Sequence, residues 1–168
     1  VDLSGIMKPF DSAALLAAKL RAAQINAKGG VKGRKIKFIQ CDTKIVNPPN
    51  SQAKACAQKL LAKGAMALLV TCDVELAAPA TQEAINHGKL ALGSCIGTDQ
   101  QGPKRFGPKG RLAFSFGNLA QDEGAAMAQY AVKKKKWKKA IVVTDKALVY
   151  FKDVTADVGL DKIQLKDP

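Results

Sequence analysis

A chain of 168 residues can hold one domain with a real core, and its composition, 47% hydrophobic and 5% aromatic, is that of an ordinary globular protein. No apolar run reaches the roughly 18 residues of a membrane helix, so no segment is expected to span a bilayer; with no basic-then-apolar leader, a secreted protein would be seen here in mature form. The net charge of +13 points toward nucleic acid or an acidic surface, but it is spread over residues 32–37, 104–109 and the dense run 133–139 rather than interleaved with stacking aromatics.

Residues 1–3 read as the tail of a first strand. Leu15, Leu16, Ala18, Ala22, Ala23 and Ile25 then recur at helical spacing. Asp11 or Ser12 can cap that helix, and Gly29-Gly30 supplies its left-handed stop. Ile36, Phe38 and Ile39, interleaved with Lys35, Lys37 and Gln40, predict a second strand at 35–40. Asn47-Pro48-Pro49-Asn50 is a rigid turn into a helix over 51–63 that Gly64 stops, and 67–71 is a short, wholly apolar strand. Pro79 suits the first turn of a helix ending near Asn86, which His87 closes at the surface. Asp73 can cap the entry to that helix or contact a ligand.

A strand at 90–92 follows, then a Gly/Pro-rich loop over 93–110 and an extended segment at 112–116. A helix is expected over 121–135, with Asp122 and Glu123 in its first turn, then a strand at 140–144 and a helix at 150–158. The lysines of 133–139 sit where cations complement a helix dipole, and Trp137 is expected to pack as the chain enters the next strand. Met7, Met66 and Met127 fit core or cleft packing.

Strands alternating with helices predict an α/β fold, a doubly wound parallel sheet with crossover helices. Such sheets bind ligands outside the carboxyl ends of their strands. Five loops qualify: 3–7, 41–47, 71–76, 93–98 and 145–150. Small and hydroxyl residues gather in and beside them, among them Ser4, Gly5, Thr71, Ser94, Gly97, Thr98 and Thr144.

The four cysteines, Cys41, Cys56, Cys72 and Cys95, show no CxxC spacing, and with a single His87 a zinc site would be unusual. In a chain of exported type they fit two disulfides, Cys41–Cys56 and Cys72–Cys95; in a cytosolic one they would be reduced core residues. Cys41 ends a strand and Cys56 lies in the next helix, while Cys72 and Cys95 both lie just past strand ends.

The segments DLSG, INAKGGVKGRKIKFIQCDT, CAQKLLAKGAMALLVTCD, APATQEA and KKKWKKAIVVTD, in that order, resemble the amino-terminal part of a type I periplasmic substrate-binding protein of an ABC transporter. The style is that of the leucine/isoleucine/valine-binding proteins and their amide- and aromatic-acid-binding relatives. The likeness runs over residues 1–158. It implies an incomplete amino-terminal lobe at 1–118 and the start of a second, similar lobe at 119–168. Members of the family are longer, so the chain is expected to be part of a longer protein.

The resemblance further implies an extracytoplasmic receptor, exported through a signal peptide not present here. Such a receptor binds a small polar metabolite (an amino acid, an amide, or a small aromatic or carboxylic acid) and delivers it to a membrane permease when its cleft closes. It implies a monomer with no enzyme activity, no catalytic residue, no cofactor, no metal and no nucleic-acid partner. The ligand contacts it implies are Ser4, Asp73, Val74, Ser94, Cys95, Ile96, Gly97, Thr98 and Tyr150. Asp73 stands where the branched-chain group commonly has a hydroxyl; a carboxylate there repels a ligand carboxylate and favours an ammonium or amide N–H. Ile96 and Gly97 stand where alanine and a hydroxyl residue are usual, and the family's Tyr-Gly pair is here Tyr150-Phe151.

Two other readings come from the residues themselves. A Rossmann-like nucleotide-binding enzyme needs a glycine-rich turn between a strand and a helix, whereas residues 29–33 lie between a helix and a strand. A basic nucleic-acid-binding α/β domain would account for the charge, and its binding would weaken steeply with salt.

Overall fold

The computed structural model describes residues 1–47, 52–143 and 149–156. In chain order these form α1 (Lys8–Ala27), α2 (Ala53–Ala62), β1 (Ala67–Val70), α3 (Val74–Asn86), β2 (Leu90–Gly93) and the short α4 (Pro103–Phe106). A 3-10 turn (Gly107–Leu112), β3 (Ala113–Ser115), α5 (Ala120–Gln129) continued by a π turn (Tyr130–Lys134), and α6 (Val149–Ala156) complete the order. Among the described residues the strands form one parallel sheet in the order β1-β2-β3. Ala67 pairs with Leu90 and Val70 with Gly93 in the first ladder, and Ala91 pairs with Ala113 in the second.

Alternation along the strands buries Leu68, Val70 and Ala91, and α3 lays Val74, Ala77, Ala84 and Ile85 against them. Ala57 of α2, Ile96 and Ala113 complete this core. The many alanines bring helix and sheet close together and place little volume at each contact.

Helices α1, α2 and α3 end in the same way. The N–H of Gly30 bonds to Ile25 O, that of Ala65 to Leu60 O, and that of Lys89 to Ala84 O, each across a left-handed glycine: Gly29, Gly64 or Gly88. This is the Schellman closure, in which orphan carbonyls of the last turn find donors as the chain reverses. After α1 it leads into a two-residue hairpin at Lys32-Gly33, where both residues have positive φ and Val31 and Arg34 exchange both backbone bonds.

Three expected strands are not ladders. Within residues 1–3, the N–H of Asp2 goes to Asp11 Oδ2 at 2.6 Å and that of Leu3 to Asp42 Oδ1 at 2.8 Å, so side chains take the donors that pairing would use. At 35–40, the Ile36 N–H donates to Asn26 Oδ1 at 2.7 Å and the Ile36 carbonyl accepts from Asn26 Nδ2 at 2.8 Å, so one amide side chain replaces a neighbouring strand. Residues 140–143 pair with nothing among the described residues, and Ile141 and Val143 are more than nine-tenths exposed. Thr144 lies outside the described residues, as do Pro48, Pro49 and Asn50 of the expected turn.

Smaller departures have clear causes. Helix α1 starts one turn earlier than expected, at Lys8, so Asp11 lies inside it and caps nothing. Helix α3 starts at Val74 because Asp73 caps it, which leaves Pro79 in the helix interior rather than in the first turn. The 93–110 loop contains α4 and the 3-10 turn. Trp137 does not pack: the residue is 61% exposed, beyond the π turn that widens the end of α5. His87 closes α3 at the surface, with Nδ1 2.8 Å from Glu83 O. Both cysteine pairs are disulfides, with Cα–Cα distances of 5.6 Å for Cys41–Cys56 and 5.0 Å for Cys72–Cys95. Among the described residues no helix is long and apolar enough to cross a membrane.

Candidate functional site

The segments that follow β1, β2 and β3 converge on a cavity of about 690 Å³. Cys72, Asp73 and Val74 come from the first, Cys95, Ile96, Gly97 and Thr98 from the second, and Gly117 and Asn118 from the third. Ile6, Met7 and Phe10 close one side, and Glu123, Tyr150 and Phe151 close another. The cavity therefore stands at the carboxyl ends of the parallel strands, where the outgoing loops diverge and leave space. Its walls are mainly apolar, with few polar groups.

Asp73, in extended conformation, accepts the Leu76 N–H at 2.9 Å as the cap of α3. Burial raises its pKa above the usual carboxylate value, against the lowering effect of the Leu76 and Glu75 N–H groups. Capping and a place in the cavity wall thus coexist at this residue.

Gly97 carries a close approach. A Cβ there would stand 2.7 Å from Asn118 O and 3.0 Å from Tyr150 Cε2, so the missing side chain is what admits the Tyr150 ring. Gly97 O accepts the Ala120 N–H at 2.7 Å, joining this loop to the first turn of α5. The Thr98 hydroxyl donates to Asp153 Oδ2 at 2.5 Å and accepts the Gln100 N–H at 3.2 Å, so it links α6 to the loop. Tyr150 donates to Glu123 Oε2 at 2.5 Å and meets the Phe151 ring edge-on, with centroids 5.3 Å apart. The bond to Glu123 raises the Tyr150 pKa, and burial and the negative charge of Glu123 add to the rise.

Beside the cavity, two fully buried carboxylates organise the start of the chain. Asp2 accepts the N–H groups of Gly5 and Met7, each at 2.9 Å, and that of Ile45 at 3.2 Å. Asp11 accepts those of Asp2 and Cys72, the latter at 3.0 Å, and so fixes α1 to the loop after β1. Burial raises the Asp11 pKa. Asp42 behaves in the opposite way: burial would raise it, but bonds from the Ser4 hydroxyl and from the N–H groups of Leu3 and Lys44 hold it below its usual value.

Of the residues expected to contact ligand, Asp73, Val74, Cys95, Ile96, Gly97, Thr98 and Tyr150 line the cavity. Ser4 and Ser94 do not. Ser4 Oγ bonds to Asp42 Oδ2 at 2.6 Å, and Ser94 Oγ lies 3.7 Å from Cys95 Sγ. Sequence reasoning missed Phe10, Gly117, Asn118, Glu123 and Phe151 as lining residues, while Ile6 and Leu76 lie within the marked loops 3–7 and 71–76 without being singled out. Gly117 and Asn118 follow the extended segment 112–116, so the strand-end rule reaches them as well. Ile6 and Phe10 were marked by apolar bulk at a loop and a helix start, where polar residues are usual.

Among comparisons with known proteins, the family model described as Periplasmic binding protein matches residues 1–160. No curated protein matches the chain. Three solved structures share its fold. The branched-chain amino acid transporter substrate binding protein LivJ from Streptococcus pneumoniae, in complex with isoleucine, superimposes with a TM-score of 0.80 at 21% identity, over 94% of this chain and 43% of that one. An ABC transporter substrate-binding protein from Desulfitobacterium hafniense, in complex with Leu, gives 0.69 at 18% identity over 86% and 41%. A putative branched-chain amino acid ABC transporter from Silicibacter pomeroyi gives 0.67 at 17% identity over 96% and 43%. The chain thus spans less than half the length of these structures.

Proposed function

This chain belongs to the periplasmic binding protein family, and we propose that it is part of an extracytoplasmic solute receptor that delivers a small metabolite to an ABC importer. The observation that carries the reading is the cavity itself, built from the segments after three parallel strands in a chain of this family. Solutes of the amino acid, amide, and small aromatic or carboxylic acid classes suit it. The apolar walls from Ile6, Phe10, Val74 and Ile96 suit a hydrophobic side group, and Asp73 suits an ammonium or amide N–H. Isoleucine and leucine in two similar structures support the same size class.

In this reading residues 1–118 belong to one lobe and 119–168 open the second. The ligand is held by Asp73, Val74 and Cys95 to Thr98, with Tyr150 closing over it as the lobes approach. Ser4 and Ser94 act as supports for the neighbouring loops. Binding without catalysis fits the engagement of the polar groups present: Asp73 caps α3, and Glu123 takes the Tyr150 hydroxyl. The receptor works as a monomer against a membrane permease, without nucleic acid.

Calorimetric titration of the purified intact protein with leucine, isoleucine, phenylalanine, glutamine, acetamide and benzoate tests this. Saturable binding of one or more is expected. No binding to any of them by the folded protein would overturn it.

A further inference from the structure

We infer that the Cys72–Cys95 disulfide is a positioning element of the binding site, a covalent strut that sets the spacing of its two principal loops and so the affinity for solute. The inference rests on the reading of the cavity as the solute site. Both cysteines line that cavity.

The bridge extends the sheet beyond its hydrogen bonds. In the β1–β2 ladder every partner is offset by 23 residues, from Ala67↔Leu90 to Val70↔Gly93, and Cys72 and Cys95 are again separated by 23. Their Cα atoms lie 5.0 Å apart, close to the spacing of about 4.8 Å between neighbouring strands. The disulfide therefore holds the chains at strand spacing for two residues past the last ladder pair. Among the described residues no hydrogen bond joins 72–74 to 95–98, so beside the packing of Val74 and Ile96 in one core cluster it is the bridge that ties these loops together.

Each end of the bridge is anchored on a different part of the fold. The Cys72 N–H is held by the buried Asp11 of α1. On the other side, Gly97 O is held by the first turn of α5 and the Thr98 hydroxyl by Asp153 of α6. The strut thus couples the α1 side of the cavity to the α5–α6 side. Cys41–Cys56 plays no such part: it joins the loop after residue 40 to α2 and lines a different, much smaller hollow. A site whose loops are fixed in advance loses less ordering entropy on binding, so severing the strut is expected to appear as lost affinity.

The experiment compares the solute affinity of three forms, using the tightest-binding of the six solutes named above: the oxidised protein, Cys72→Ser/Cys95→Ser and Cys41→Ser/Cys56→Ser. Loss of about tenfold or more in affinity is expected for the first double variant, and a change within about twofold for the second, even where both lower Tm alike. Equal affinity in the oxidised protein and Cys72→Ser/Cys95→Ser overturns the inference. So does an equal loss in both variants, which would mark a general effect of lost stability. If the serine pair does not fold, the folded protein is titrated before and after reduction by a water-soluble phosphine, which takes up oxygen from water and leaves two thiols per bridge. Reduction of Cys41→Ser/Cys56→Ser then reads the remaining bridge alone, with the same two outcomes. An oxidised protein that binds none of the six solutes refutes the receptor reading instead, so the two failures are distinguishable.

Discussion

The Tyr150 hydroxyl and the Glu123 carboxylate meet at 2.5 Å, so the ring that borders the cavity is held by α5 from below rather than hanging free on α6. Gly97 makes room for that ring, and the Thr98–Asp153 bond secures the same helix one turn further on.

Tyr150→Phe removes the hydroxyl and leaves Glu123 without its partner. A loss of about 1–2 kcal/mol in unfolding free energy is expected by chemical denaturation, the partial exposure of the pair keeping it at the lower end for a bond to a charged group. Glu123→Gln, whose amide oxygen still accepts, is expected to cost less. The Tyr150 pKa is raised in the folded state, so its contribution is complete below the unfolded value of 10.0 and is lost as pH rises through the folded one. The phenol-to-phenolate absorbance change of Tyr150, read as the difference from Tyr150→Phe, should accordingly occur above the usual value of 10.0, and a change at or below it would exclude the bond.

Gly97→Ala places a methyl group against Asn118 O and the Tyr150 ring. Overpacking of this kind costs about 1–3 kcal/mol, and the ring is the part able to move. A lower Tm together with a changed near-ultraviolet signal from Tyr150 is expected. An unchanged spectrum and Tm would show that the ring does not rest on Gly97.

Asp73→Ala removes the cap of α3 and is expected to cost about 1 kcal/mol, while Asp73→Ser, which can still cap, should recover most of it. Solute affinity separates the two roles. If Asp73 also receives an ammonium group, both variants bind an amino acid at least about tenfold more weakly, whatever their Tm. Full affinity in the serine variant would confine Asp73 to capping.

Asp11 and Asp42 are predicted to titrate on opposite sides of the usual carboxylate value of 3.8. The lowered Asp42 adds stability that is present above 3.8 and lost as pH falls through its folded pKa. The raised Asp11 makes the folded state bind its proton more tightly, so its contribution is greatest below 3.8 and declines as pH rises through its folded pKa. Carboxyl-carbon NMR titration from acid should show Asp42 ionising before Asp11. The opposite order would show that burial does not prevail at Asp11, or that the bonds to Asp42 do not prevail over burial there.

These carboxylates mark where the sequence became hard to read. The helix stops at Gly29, Gly64 and Gly88, the apolar strand at Ala67–Val70 and both cysteine pairings depend on neighbours close in sequence or on matching strand ends, and pattern alone exposes them. The roles of Asp2 and Asp11 depend on donors far along the chain: Ile45 lies 43 residues from Asp2, and Cys72 lies 61 from Asp11. A capping aspartate and a buried bridging aspartate look alike in sequence. Asn26 is similar, since nothing local announces that its amide will bind the backbone of Ile36. Most of the cavity lining was legible because strand ends are legible, Ile6 within the loop 3–7 included; Phe10 was not, since it reaches the cavity from a helix start outside those loops.

The repeated closure that ends α1, α2 and α3 has an evolutionary consequence. Each helix reverses into the following segment through backbone bonds and one left-handed glycine, with no demand on the side chains around it. The turns that hold the architecture together therefore stand at one end of the sheet, and the cavity stands at the other. Substitutions in the pocket act on residues these turns do not use, so a new solute preference leaves the closure of α1, α2 and α3 untouched.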